Sequence, residues 1–446
     1  MHTQLERVID LLDPGANQLY NVDPQEARRL VLSGDPAAVR TIDGSFALVA
    51  VQGRTVRMAR SLDRPMRYFL AKRAEGPALY VADRIDVLRR ALEQDGLHGQ
   101  FHPSYTRMVP AHYVVELALV GCPDPDPIYT HFFAPSRATL PPDLDAIGQR
   151  YVAALSNEVT KWLTAIDRQS PGAPIGVSFS GGIDSGAVFL VIYDAMLRLG
   201  MSPSRLKAFV LNLGDGPGDA PDVEQARAFL AALGLSMFLE EIDGRTDDLD
   251  VERTLRAIED YKPLDVECAA MGMLLCHGIR RRYPDWRHLA DGDGGDENMK
   301  DYPIEENPEL TIRSVVDNLM LYQEGWGVGR IKHSLTYSGG LSRSYVRTYA
   351  PAALHGFAGF SPYTRPGVIE VAEAIPFAAL TSYDVPTLYA LKGEIVRRGV
   401  TAIAGIDMPA FPKRRFQHGA VPTNALRRRL GQSERDYRQA FERLYA

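Results

Sequence analysis

IGVSFSGGIDSGAVFL, Ile175 to Leu190, is the strongest signal in the chain. Ile175 to Phe179 is an apolar run of strand type, Gly181 and Gly182 interrupt it, and Gly186 to Leu199 continues with helical character up to Gly200. A buried strand that turns through adjacent glycines into a helix brings backbone N–H groups and the positive end of a helix to one point. Ser180 and Ser185 add hydroxyl donors, so a phosphate chain is the natural occupant. Asp184 is out of place beside an anion unless a cation lies between them, and a hard oxygen ligand for Mg2+ accounts for it. The loop reads as the seat of a metal-bound nucleotide; the alternative is a plain glycine turn with Asp184 capping the helix.

Outward from this loop the pattern repeats. Leu144 to Ile166 has helical character, KAFVLNL (Lys207 to Leu213) reads as a second strand, EQARAFLAALG (Glu224 to Gly234) as a helix with glycine at the stop, and MFLEEI (Met237 to Ile242) as a third strand. Such alternation indicates an α/β unit, a parallel sheet covered by helices. Beyond Asp301 the sequence is mostly helical in character. Upstream, the apolar runs SFALVAV, YFLA, ALYVA and HYVVELALV, separated by turn residues, predict a mainly antiparallel β layer with a few helices. The proline-rich stretch APSRATLPPDLD, Ala134 to Asp145, suits a linker. Two domains are therefore expected: an α+β domain over 1–135, and an α/β domain over 143–446 with a helical C-terminal part.

The 446 residues exceed what one hydrophobic core usually organises. Hydrophobic residues at 45% and charged residues at 24% describe a globular chain with a large core rather than a disordered one. A formal charge of −6 works against wholesale nucleic-acid binding, though a local basic pocket is compatible with it. Cys122, Cys268 and Cys276 form no CxxC pair and no even-numbered framework, which fits a reducing compartment. The opening MHTQLERVIDLL lacks the form of a signal peptide, and no apolar run reaches bilayer length. A cytoplasmic protein is the expectation.

A second acidic loop, LADGDGGDENMKDY, sets Asp291, Asp293, Asp296 and Glu297 among Gly292, Gly294 and Gly295. Carboxylates packed this closely repel one another, so they belong on a solvated turn or around a cation that also holds phosphate oxygens. Their spacing is not that of an EF-hand.

With both loops in view, the chain resembles the N-type ATP pyrophosphatases, and among them asparagine synthetase and β-lactam synthetase. SFSGGIDS is similar to the SGGxDS loop shared by asparagine, GMP and argininosuccinate synthetases and several tRNA-modifying enzymes. DGDGGDE followed by NMKDY resembles the SGEGSDE of asparagine synthetases followed by a short run ending in GY. The resemblance implies a parallel-sheet ATP-pyrophosphatase fold of the adenine nucleotide alpha hydrolase type, with ATP and Mg2+ as cofactors. It also implies that Ser180, Gly181, Gly182, Asp184 and Ser185 contact the nucleotide, and that Asp184 and Asp296 share the metal. Asp293 falls where asparagine synthetase has a glutamate and β-lactam synthetase a tyrosine, a position that handles the proton of the attacking amine; its side chain is the shorter. SPYTRPGVIEVAEAIPF, with its Pro362-Tyr363 pair, and LYALKGEIVRR, which carries Lys392, continue the likeness, and Lys392 is implied to lie near the phosphates. PAFPKRRFQHGA places Lys413 on the family's catalytic lysine, where it would neutralise the α-phosphate and the oxyanion formed on amine attack. On its own, KRR reads as a solvated basic cluster.

IDGSFALVAV, VRMARSLDRPMRYFLAKR and ALYVADRIDVLRRAL resemble the later half of the N-terminal-nucleophile glutaminase domain of asparagine synthetases. Those enzymes carry a catalytic cysteine after the initiator methionine, whereas this chain has His2, and imidazole cannot replace that thiolate without rebuilding the site. The domain is expected to be a remnant, with the amine supplied by a source other than the chain's own glutamine hydrolysis. The implied activity is that of an ATP-dependent carbon–nitrogen ligase of specialised metabolism, such as antibiotic biosynthesis. It would adenylate a small-molecule carboxylate and pass the acyl group to an amine or ammonia, releasing AMP and pyrophosphate. No nucleic-acid or membrane partner is expected, and a homodimer is allowed. Alternatives are an intramolecular lactam- or macrolactam-forming synthetase, a sulfur-transfer or tRNA-modifying enzyme with the same loop, and a non-catalytic nucleotide binder. Against a β-lactam synthetase, Gly325 to Ser344 holds no counterpart of its glutamate. His277, His333, His355 and His418 share no ligand-like spacing, and Trp326 in EGWGVGR reads as a corner or a pocket wall.

Overall fold

The computed structural model describes residues 7–120, 126–213, 221–302, 304–306, 310–317, 345–411 and 430–445. His2, Cys122, Trp326, His333, Lys413 and His418 lie outside these ranges. Residues 8–131 supply ten short strands: β1 (Val8–Asp10), β2 (Gln18–Leu19), β3 (Gly44–Ser45), β4 (Ala47–Gln52), β5 (Thr55–Arg60), β6 (Arg67–Ala71), β7 (Ala78–Ala82), β8 (Arg107–Met108), β9 (Tyr113–Ala118) and β10 (Ile128–His131). They build two four-stranded sheets, ordered β1-β7-β6-β8 and β10-β9-β5-β4, and a β2–β3 ribbon. All their pairings are antiparallel except β1 with β7.

Successive side chains of a strand point to opposite faces, and here both faces are buried. Val49, Met58 and Val115 of one sheet meet Leu79 and Val81 of the other in a core between them. On the outer faces, Ala27 and Val31 of helix Pro24–Ser33 pack on Leu48 and Ala59, and Leu88 and Leu92 of helix Ile85–Gln94 pack on Phe69 and Tyr80. The expected single β layer is thus two sheets in a four-layer stack, because strands with apolar residues on both faces look alike in sequence whichever sheet they join. Residues 132–143 form neither strand nor helix, and Asp143 then caps helix Leu144–Gln169 by accepting from the N–H groups of Asp145 and Ala146.

The second half is built on a five-stranded sheet with every pair parallel: β11 (Ile175–Ser178), β12 (Leu206–Leu213), β13 (Leu239–Gly244), β14 (His288–Ala290) and β15 (Ala358–Phe360), ordered β13-β12-β11-β14-β15. Helices Leu144–Gln169, Ile183–Arg198 and Val385–Ala404 pack together over the sheet core. The α/β class expected from the alternation is correct. Helix Ile183–Arg198 begins three residues earlier than the pattern indicates, directly at the glycines. β14 and β15, three residues each, are too short to show a period, so the region after Asp301 contains a sheet edge as well as helices.

Strand order explains where a ligand can sit. The chain moves outward from β11 to β13, then crosses to the other side of β11 to lay down β14 and β15. At that reversal the loops leaving β11 and β14 part company, and a crevice opens at the carboxyl edge of the sheet. Those are the two loops singled out in the sequence.

Candidate active site

The first loop is held by its own hydroxyls. Ser180 N–H donates to Ser185 Oγ at 3.2 Å, and Gly182 N–H donates to Ser180 Oγ at 3.3 Å. Gly181 has φ +70°, and a Cβ there would lie 2.8 Å from the Gln225 carbonyl oxygen and 2.9 Å from Ala226 Cα. Both the backbone and the neighbouring helix Pro221–Ala232 therefore demand glycine. Gly182, the cap of helix Ile183–Arg198, has no side chain to cover the first N–H groups, which have no intrahelical acceptors. That is the geometry of an anion seat.

The second loop folds directly onto the first. A Cβ at Gly295 would lie 2.2 Å from Asp184 Oδ1, and one at Gly292 would lie 2.7 Å from the Ser185 backbone nitrogen. The short helical turn Gly295–Met299 then presents Asp296. From the far side, Lys392 on helix Val385–Ala404 reaches between the two: its Nζ pairs with Asp184 Oδ2 and Asp296 Oδ1 and lies 3.4 Å from Asp301 Oδ2. Burial opposes the charge on Lys392, but Asp184, Asp296 and Asp301 hold its pKa well above the ordinary lysine value. One cavity is lined by Asp184 from the first loop, by Gly292, Asp293, Gly294, Asp296 and Glu297 from the second, and by Arg347.

Several carboxylates gathered round one ammonium provide hard oxygen donors, the chemistry that Mg2+ selects. Asp184 and Asp296 both line the cavity and fit such an ion. Among the described residues no group of three or more His, Cys, Asp or Glu is arranged to hold a metal by itself.

Asp293 sits on the same rim with an unusual environment. Its Oδ2 accepts from the Thr348 hydroxyl at 2.7 Å, and its N–H donates to Asp291 Oδ1 at 3.0 Å. Burial, then the nearby Asp291 carboxylate, push the Asp293 pKa well above the ordinary aspartate value. Asp291, which accepts from the Ser361 hydroxyl at 2.9 Å, is itself raised to about 6 by burial. A carboxyl group shifted in this direction takes up and releases protons closer to neutrality than a surface aspartate does.

Of the site residues expected from sequence, Asp184, Asp293 and Asp296 line one cavity, Lys392 pairs with Asp184 and Asp296, and Ser180, Gly181, Gly182 and Ser185 form the turn that carries Asp184. Lys413 lies outside the described residues. The sequence reading missed Thr348, Asp301, Ser361 and Arg347, which pairs with Asp265 at 3.1 Å. It also missed the use of Tyr363, whose hydroxyl donates to the Asp184 carbonyl at 3.3 Å. Asp301 and Ser361 stand inside the motif-bearing segments, but Arg347 and Thr348 occur in VRTYAP, which carries no motif.

A family model described as asparagine synthase matches residues 164–382, a span that holds both loops and Tyr363. No curated protein matches the chain. Among the described residues no helix is long and apolar enough to cross a membrane.

Proposed function

We propose that this chain, whose residues 164–382 match a family model described as asparagine synthase, acts as the ATP-dependent carbon–nitrogen ligases of that family do and forms an amide by way of an acyl-adenylate. A carboxylate oxygen attacks the α-phosphorus of ATP and the bond to pyrophosphate breaks. An amine then attacks the acyl carbon, the bond to AMP breaks, and the amine gives up a proton. The observation that carries this reading is the meeting of Asp184 and Asp296, 112 residues apart in sequence, across one phosphate-type loop.

In this reading the N–H groups of the glycine loop, with Ser180 and Ser185, bind the phosphates, and Lys392 holds the two metal-type carboxylates at their spacing. Mg2+ bound by Asp184 and Asp296 would offset the charge of the triphosphate. Asp293, aimed by Thr348, receives the proton of the attacking amine. By resemblance, Lys413 supports the α-phosphate. Positioning and charge complementarity supply the acceleration, as is general for transfer at phosphorus. The reading includes a cytoplasmic enzyme of specialised metabolism with two small-molecule substrates, and a chain divided into 1–135, a glutaminase-like remnant, and 143–446.

The amine source is read as external to the chain. Cys268 and Cys276 are buried on helix Pro263–Arg282, and burial pushes their thiols up to about 11 and about 12. Burial disfavours the thiolate form of each, so neither suits glutamine hydrolysis or a persulfide carrier. Incubated with ATP, Mg2+, ammonia or a simple amine, and a panel of carboxylates, the protein is expected to yield AMP and pyrophosphate. Formation of ADP and phosphate instead would refute the mechanism.

A further inference from the structure

The five residues Ser361 to Arg365 follow the edge strand β15 and reach three places in turn. Ser361 donates to Asp291 Oδ2 at 2.9 Å. Tyr363 donates to the Asp184 carbonyl at 3.3 Å, and its own carbonyl accepts from Asn298 Nδ2 at 3.0 Å. Arg365 Nη2 lies 3.1 Å from Asp63 Oδ2, and its guanidinium stands over the Phe360 ring at 5.0 Å. One short segment thus joins the acidic loop, the phosphate-type loop and the N-terminal layers.

Asp63 is built to be held still. It lies at the β5–β6 connection, is 4% exposed, and accepts from the hydroxyls of Ser45 and Ser61, each at 2.7 Å. Arg365 is 2% exposed, and none of its guanidinium nitrogens makes a hydrogen bond among the described residues. Its anchorage is therefore ionic. Glu158, which also faces it, is engaged by Lys161 at 2.7 Å. A buried guanidinium that loses its carboxylate is left with an uncompensated charge, and the backbone carrying it must move toward water or another partner. Moving residue 365 moves Tyr363, against which the second loop is packed: a Cβ at Gly294 would lie 3.0 Å from Tyr363 Cβ.

We propose that Asp63 is a positioning residue for the nucleotide site: through Arg365 it fixes Ser361 and Tyr363, and through them the spacing of the two acidic loops. The N-terminal layers then serve the site mechanically, whatever their earlier chemistry. This rests on the reading of the crevice as a MgATP site.

The test uses the full chain carrying Asp63→Asn, with Arg29→Ala, which breaks an exposed pair with Glu26, as control. MgATP affinity is measured by calorimetric titration, backbone hydrogen exchange over 291–298 by mass spectrometry without nucleotide, and the folded fraction by circular dichroism. Per folded molecule, Asp63→Asn is expected to bind MgATP about tenfold more weakly and to exchange faster over 291–298, with the control unchanged. If Asp63→Asn does not fold, Ser45→Ala, which removes one hydroxyl from the carboxylate, gives both readouts at smaller amplitude. Affinity equal to that of the parent once the folded fraction is accounted for overturns the proposal. A parent chain that does not bind MgATP defeats the nucleotide reading instead. The exchange measurement then decides alone: acceleration over 291–298 supports the mechanical link, and unchanged exchange overturns it.

Discussion

At the scale of single residues, Asp293 makes the sharpest demand. Its pKa is raised by burial and by Asp291, so the carboxylate form accumulates only above the ordinary aspartate range. If it accepts the amine proton, amide formation rises with pH through that raised value. Carboxylate-dependent exchange of pyrophosphate into ATP comes before amine attack and lacks this limb. Asp293→Asn is expected to slow amide formation about 10²- to 10⁴-fold and to leave exchange near its parent rate. Equal loss of both would assign Asp293 to the nucleotide. Asp293 was legible because the acidic loop is contiguous in sequence. Thr348, which aims it, was not, since it lies 55 residues further on and meets it only through folding.

At the scale of elements, the site depends on how closely two helices cross. A Cβ at Gly399 would lie 2.3 Å from the Gly148 carbonyl oxygen, so helices Leu144–Gln169 and Val385–Ala404 touch backbone to backbone. Gly399 lies two turns beyond Lys392 on one face of its helix. Gly399→Ala is therefore expected to cost about 1–3 kcal/mol in urea unfolding and to weaken MgATP binding by displacing Lys392. Unchanged binding in a destabilised variant would separate helix packing from the site. Helices Leu144–Gln169, Ile183–Arg198 and Pro221–Ala232 and the first three parallel strands were readable from periodicity; helix Pro263–Arg282 was not singled out. β14 and β15 were not, because three residues paired on a sheet show no repeat of their own.

At the scale of the whole molecule, the two halves are joined by charges removed from water. Arg67 is fully buried and its Nε lies 2.7 Å from Glu259, itself 2% exposed, which also accepts from the Ile85 N–H at 2.6 Å. Removing one member strands the other, so Glu259→Ala is expected to cost about 3–5 kcal/mol, and Arg67→Met combined with Glu259→Met to recover much of that. Denaturant midpoints of the three variants check it; a double variant no better than the single would place the cost in lost packing. Helix Glu434–Tyr445 seals the same region, with Phe441 clustered with Ile85, Met108 and Leu255.

Local features are written in the sequence: a strand, a glycine turn and a helix in one continuous run, and a cluster of carboxylates. Each of these follows from neighbouring residues, because backbone conformation, helix ends and like-charge repulsion act over a few positions along the chain. That the two loops face one another, that Lys392 bridges their acids, and that Asp63 and Arg365 pair the N-terminal layers with the segment after β15 emerges only on folding. Those facts follow from the order in which strands enter the sheet and from pairing charges where no water can solvate them, and neither is set by residues adjacent in the chain.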